Sequence, residues 1–236
     1  MRTVRSGSLR VGGGCVGGNF LGRRNASSAL ANYTNFAARV LENGCEHHQA
    51  RPAFITSEGS DITYEDLLEN VSRLTNLLKK LGVKKGDRIM VLAQKDPLVI
   101  QIYLATMSIG AIFLPLNPAY TNQELQYFLD DSEPALAISC IEEVKRLKEV
   151  CAQNKGSRVL NFEQIKNSMD ACVYNLSLEN VDLGEIAAIC YTSGTTGKPK
   201  GAMVRFHPTM LIVFNALTSS CLWIADYTSE LIFQCP

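Results

Sequence analysis

From about residue 51 onward the apolar positions switch repeatedly between a period of two and a helical period, and each switch marks an element. Ala53 to Thr56 and Asp61 to Tyr64 are strand-like and flank the turn-rich Ser57-Glu58-Gly59-Ser60, which predicts a hairpin. Leu67, Leu68, Val71, Leu74, Leu77, Leu78 and Leu81 then recur at helical spacing, with Thr63 placed to cap the start and Gly82 to stop the end. A short strand is expected over Arg88 to Ala93. Asp96-Pro97 follows as an N-cap and a first-turn proline, opening a helix to about Ser108. Ala111 to Leu114 reads as a buried strand, and Thr121 with Glu124 forms a capping box for a helix to about Asp131. Ala135 to Ser139 is again strand-like, Glu142 to Gln153 helix-like and Arg158 to Asn161 strand-like. Strands separated by helices of this length call for parallel pairing, so the expected fold class is α/β, a parallel sheet flanked by helices on both faces.

Composition agrees with a globular chain. Of 236 residues, 46% are hydrophobic and 19% charged, and 23 Lys+Arg stand against 23 Asp+Glu. With no basic excess, neither a nucleic-acid partner nor an anionic membrane surface is expected. Two charge-free stretches, Pro97 to Gln123 and Phe206 to Ala225, are long enough to cross a bilayer of roughly 30 Å. The first is broken by Gly110, Pro115 and Pro118 and the second by Pro208, Asn215 and three hydroxyl residues, so no membrane span is expected. The eight cysteines form no C-x-x-C pair, which leaves zinc-ribbon and redox-pair chemistry without support and reads as buried thiols in a reducing compartment.

Charge is uneven along the chain. Before Glu42 there are six arginines (Arg2, Arg5, Arg10, Arg23, Arg24, Arg39) and no acid, in a stretch rich in glycine and serine. An Arg-rich, acid-free segment without a long apolar run has the composition of an organelle transit peptide, so residues 1–45 are expected to be a leader, with a mitochondrial matrix destination and a cytoplasmic location as the alternative. A flexible untargeted tail has the same composition.

The most unusual segment is Tyr191 to Gly201, Y-T-S-G-T-T-G-K-P-K-G, directly after the apolar run Ile186 to Cys190. Four hydroxyl side chains (Thr192, Ser193, Thr195, Thr196), three glycines and two lysines fall within eleven residues, with no acid among them. Glycines permit close backbone approach, so successive N–H groups can converge on an oxyanion while hydroxyls add donors and lysines add charge. The chemistry implied is polyphosphate binding. It is not a Walker A loop, because Thr192 stands five before Gly197 and Pro199 follows Lys198, and no G-x-G-x-x-G after a strand supports a dinucleotide fold.

The string Tyr191 to Gly201, followed by Ala202-Met203-Val204, resembles the signature phosphate loop of the adenylate-forming superfamily of acyl-CoA synthetases, luciferases and peptide-synthetase adenylation domains. Ile62 to Leu67, Lys84 to Arg88 and Gly110 to Pro118 resemble further family segments in the expected order, and the likeness covers about residues 46–204. Leu116 to Thr121 with Glu124-Leu125-Gln126-Tyr127-Phe128 resembles the malonyl-CoA synthetases most. The resemblance implies that Thr192, Ser193, Gly194, Thr195, Thr196, Gly197, Lys198 and Lys200 hold the phosphates of Mg·ATP. It implies no metal ligand and no catalytic side chain within 1–236; His207 reads as an ordinary surface or core histidine, with a stand-in for a family histidine, displaced by one residue, as the alternative.

What the resemblance implies chemically is activation of a small carboxylic acid to an acyl-adenylate with release of pyrophosphate, then transfer to coenzyme A, giving malonyl-CoA or a fatty acyl-CoA. The family's adenine segment, ribose-binding aspartate, hinge and catalytic lysine have no counterpart in 1–236. Residues 46–236 are therefore expected to be the N-terminal portion of an AMP-binding domain, truncated and inactive as it stands. The competing expectation is a non-catalytic fragment that binds nucleotide weakly or serves as an interaction module.

Overall fold

A computed structural model describes residues 35, 37–38, 40–41, 50–55, 61–94, 96–152, 157–192 and 199–206. Strands β1 (Pro52–Ile55) and β2 (Asp61–Thr63) form an antiparallel pair, and α1 (Tyr64–Lys80) starts immediately after it. The start is set by Thr63: its hydroxyl accepts from Asp66 N–H at 3.1 Å while the Asp66 carboxylate accepts from Thr63 N–H at 3.0 Å. The end is set by Gly82, whose φ of +88° lies where a glycine carries no steric penalty. Between these caps Leu67, Val71, Leu74 and Leu78 present a buried stripe.

Then follow β3 (Arg88–Leu92), α2 (Pro97–Ser108), β4 (Ile112–Leu116), α3 (Asn122–Ser132), β5 (Leu136–Ser139) and α4 (Val144–Cys151). β6 (Arg158–Asn161), α5 (Phe162–Met169), β7 (Ile186–Thr192) and β8 (Lys200–Arg205) complete the order. Helix α2 is apolar nearly all round, as a helix clamped between another helix and a sheet must be. Its Thr106 and Ser108 hydroxyls are satisfied by donating to the carbonyls of Ile102 and Leu104, at 2.7 and 2.8 Å. The first charge-free stretch is thus helix α2, strand β4 and the turn after it. Among the described residues no helix is long and apolar enough to cross a membrane; most of the second stretch, from His207 on, lies outside them.

The main sheet has the order β6-β5-β3-β4-β7-β8, parallel throughout except at the edge, where β8 runs antiparallel to β7. Alternation along the strands sends Ile89, Val91, Phe113 and Ile138 to the face covered by α1, α2 and α5. Met90, Leu92, Leu114 and Ala137 go to the face covered by α3 and α4. The α/β class and the two-faced covering agree with the sequence expectation. Two elements were not anticipated, α5 and the antiparallel β8.

Between β6 on one side and β7 on the other, the chain must recross the whole sheet. It does so over the outside of α1, and the polar side of that helix holds it. Arg73 donates to the carbonyls of Asp170 and Cys172, both at 3.0 Å, Asn76 to those of Val173 and Asn175, both at 2.9 Å, and the Lys79 ammonium to the Ser177 hydroxyl at 2.5 Å. Farther along, Lys85 donates to Asn180 O and pairs with Glu185, each at 2.8 Å.

The expected leader boundary at residue 45 lies outside the described residues, and several residues described upstream of it are buried. Ala37, Ala38 and Leu41 are helical and buried in the core beside α1 and α2. The buried Asn35 donates to Met107 O at 2.8 Å and Glu179 O at 3.2 Å and accepts from Ala37 N–H. Core packing therefore reaches back to Asn35.

Removing the first rung of the ladder on α1 tests the crossing. Arg73→Ala should lower the unfolding free energy by about 1.5–3 kcal/mol, the scale for hydrogen bonds to a charged donor, read from urea denaturation. Limited proteolysis should then cut first between residues 170 and 177; unchanged stability and cutting would mean that the segment is held by other contacts.

Candidate functional site

All parallel strands deliver their carboxyl ends to one edge of the sheet. From β3 the chain moves out to β4 by way of α2 on one face, then returns by way of α3 on the other to β5. The segments leaving β3 and β4 therefore diverge to opposite faces, which opens a crevice outside their ends, the usual ligand position in open α/β sheets. β7 pairs with β4, so its exit lies beside that crevice. The residues leaving β7 are those of the hydroxyl- and lysine-rich segment.

Strand β7 runs two residues farther than the apolar run suggests, to Thr192, and β8 returns from Lys200. Thr192 and Lys200 are directly paired across the hairpin, and the Thr192 hydroxyl faces Lys200 O at 3.4 Å. Both are exposed, so these two expected site residues stand side by side at the mouth of the connection. Ser193, Gly194, Thr195, Thr196, Gly197 and Lys198 lie outside the described residues, as does His207.

The stem of this hairpin is fastened to α3. The Tyr191 ring lies 4.3 Å from that of Phe128, centroid to centroid, and its hydroxyl donates to the Asp131 carboxylate at 2.5 Å. Burial first, and that carboxylate second, push the Tyr191 phenol well above its ordinary range, so it stays a donor. On the far side, the Tyr127 hydroxyl donates to Pro199 O at 3.0 Å. Across the hairpin from Tyr191 stands Gly201, and a Cβ there would sit 3.1 Å from Ile189 Cγ2 and 3.3 Å from Tyr191 Cε1. The glycine is what lets the ring lie flat over the neighbouring strand.

Helix α3 is itself locked. Thr121 and Glu124 form the expected capping box: the Glu124 carboxylate accepts from the Thr121 N–H at 2.7 Å and from its hydroxyl at 2.8 Å, which holds it below the usual carboxylate range. Arg146 on α4 donates to Asn122 Oδ1 at 2.6 Å, to Pro118 O at 2.9 Å and to Tyr120 O, and pairs with Glu143. The exit of β4 and the start of α3 are thus bolted to α4. Of these supports the sequence reading identified only the capping box. Tyr127, Asp131, Tyr191 and Arg146 act through contacts across dozens of residues, which no local spacing announces.

Among the described residues no group of three or more His, Cys, Asp or Glu side chains could hold a metal ion. Of the segment itself, the Thr192 hydroxyl and the exposed Lys200 stand among the described residues, and the nearby Asp131 carboxylate is engaged by Tyr191.

Comparison with known proteins bears on the family and the fold. A family model described as AMP-binding enzyme matches residues 41–231. Tyrocidine synthase 3 of Brevibacillus parabrevis is 33% identical over 167 residues, covering 70% of this chain and 2% of that protein. The 4-coumarate–CoA ligase CCL1 of Humulus lupulus is 33% identical over 165 residues, covering 65% of this chain and 30% of the ligase. Among solved structures, ATP-bound MatB from Rhodopseudomonas palustris superposes with a TM-score of 0.68 at 28% identity, covering 79% of this chain and 37% of MatB. The chain thus spans well under half the length of each of these proteins.

Gly201→Ala tests the stem. Tyr191 is held by Phe128 and Asp131 and cannot retreat from the added methyl, so stability should fall by about 1–3 kcal/mol, the cost of overpacking, measured by urea denaturation. A neutral or stabilising result would mean that the ring yields.

Proposed function

The chain belongs to the AMP-binding enzyme family, and from that membership we propose that residues 192–200 form the polyphosphate cradle of an enzyme type that activates a carboxylic acid as its acyl-adenylate. The observation that carries this reading is the position of the loop: it leaves β7 at the carboxyl edge of the sheet, beside the crevice, on a stem fixed at both ends. Thr192, Ser193, Thr195 and Thr196 would donate hydroxyls to the β- and γ-phosphates, Gly194 and Gly197 would bring backbone N–H groups close, and Lys198 and Lys200 would supply charge. Magnesium would arrive with the nucleotide, held largely by its phosphate oxygens.

ATP, when bound, supplies an electrophilic α-phosphorus and pyrophosphate as leaving group. A carboxylate oxygen attacks that phosphorus, the bond to the bridging oxygen of the β-phosphate breaks, and pyrophosphate departs. The loop holds this leaving group and stabilises charge growing on it, which is the positioning and electrostatic share of phosphate chemistry. In the second step a thiolate attacks the acyl carbon and AMP leaves. Coenzyme A is the proposed thiol, on the strength of the likeness to the ligase from Humulus lupulus and of the family resemblance. Malonate is the proposed acid, on the resemblance of Leu116 to Thr121 and Glu124 to Phe128; a fatty acid is the alternative.

The 236 residues span 37% of MatB. The complete reaction is accordingly proposed for the enzyme type, and the contribution proposed for this stretch is the phosphate cradle. Mg·ATP binding without turnover would leave nucleotide holding as the function of these residues.

Lys200→Ala tests the cradle. In isothermal titration the substitution should weaken Mg·ATP binding by roughly 1.5–3 kcal/mol, the net worth of a hydrogen bond to a charged group. Unchanged affinity would remove Lys200 from the site.

The Arg-rich leader is proposed to direct the chain to mitochondria, with cytoplasmic residence as the contrary outcome. Because core packing reaches Asn35, the segment to fuse to a fluorescent reporter is residues 1–34. The fusion should enter mitochondria, and Glu in place of Arg2, Arg5 and Arg10 should abolish entry. A diffuse signal from the unaltered fusion would refute targeting.

A further inference from the structure

We propose that Tyr127 is a positioning residue for the phosphate loop, acting through the hydrogen bond from its hydroxyl to the carbonyl of Pro199; the proposal rests on reading residues 192–200 as the polyphosphate cradle. The connection 193–199 is longer than the two to five residues whose turn type dictates a hairpin's path, so strand pairing alone does not aim it. Its two ends meet at the Thr192–Lys200 pair. Next inside that pair, before Lys200, stands Pro199, which has no N–H and cannot extend the ladder as a donor. Its carbonyl is taken instead by Tyr127 at 3.0 Å, from a helix on the neighbouring layer.

The geometry separates this hydroxyl from the rest of the side chain. The Tyr127 ring stands edge-on to Phe128 at 5.8 Å and to Tyr191 at 6.3 Å, so its orientation is set by ring packing. The helix beneath it does not depend on the loop either, being capped by Thr121 and Glu124 and bolted through Arg146 to Pro118, Tyr120 and Asn122. Tyr127→Phe therefore removes one bond to the loop and leaves the support standing. Tyr127→Leu removes the ring contacts as well.

The experiment compares the 236-residue chain with both variants by thermal unfolding, by amide hydrogen exchange over residues 190–202 with β3 and β5 as internal reference, and by titration with Mg·ATP. Tyr127→Leu should melt earlier than the unaltered chain, and Tyr127→Phe should melt with it. Despite that recovery, Tyr127→Phe should still exchange faster at 190–202 and bind Mg·ATP more weakly, each by roughly two- to ten-fold, the scale of one net hydrogen bond. If Phe restores exchange protection together with melting temperature, the role is ring packing alone and the proposal is overturned. Faster exchange with unchanged Mg·ATP affinity also overturns it, because the loop would then be loosened without consequence for the ligand. Should the unaltered chain bind no Mg·ATP, the cradle reading fails, and the proposal falls with it as a statement about the ligand while the exchange data still report whether Tyr127 holds the stem.

Discussion

Parallel pairing is the constraint from which the rest follows. Neighbouring strands that run the same way cannot be joined by a tight turn, so each needs a crossover, and every crossover starts from the same edge of the sheet. Here that rule gathers the exits of β3, β4, β5 and β7 on one side and sends the helices to two faces. Where the chain reverses direction after β4, the exits part and leave a crevice. No side chain had to be chosen to make that crevice; it comes from strand order.

Strand order also imposes a difficulty, which α1 resolves. After β6 the chain is at the wrong side of the sheet, and β7 must pair with β4. A long connection lying on a helix exposes backbone carbonyls that need partners. Arg73, Asn76 and Lys79, at successive turns on the polar side of α1, supply donors to five of these carbonyls and one hydroxyl. The same helix buries its leucines in the core it shares with α2 and α5, so one amphipathic element carries core packing and the routing of β7. Placement of β7, from which the candidate loop leaves, thus depends in part on a helix outside the sheet.

How much of this was legible in the sequence follows from the range of each interaction. Caps are local, and Thr63, Asp96 and Thr121 were all placed from neighbours two or three residues away. Helix α5 was also legible in principle: Asn161 and Gln164 form a capping box, and Phe162, Ile165 and Met169 are buried at helical spacing. It was missed because the run is short and follows a strand without a break. The antiparallel turn into β8 was not legible, since Lys200 to Arg205 carries exposed and half-buried residues in no clean alternation, as an edge strand does. Arg146 and Tyr127 act across separations of 28 and 72 residues, and only the fold discloses them.

On the proposed reading of residues 192–200 as a phosphate cradle, the antiparallel return accounts for the composition of the loop. Nucleotide-binding loops of the Walker and dinucleotide types run from a strand into a helix, whose amino end adds roughly half a positive charge to the phosphates. Here the loop runs from strand β7 to strand β8, and sheets have only small net dipoles. A cradle built on a hairpin must therefore draw its positive charge from side chains and its directional donors from hydroxyls and turn amides. Two lysines and four hydroxyl residues between Thr192 and Lys200, with no acid among them, meet that need. The two strands beside the loop are held from outside, by Tyr191 on Phe128 and Asp131 and by Tyr127 on Pro199.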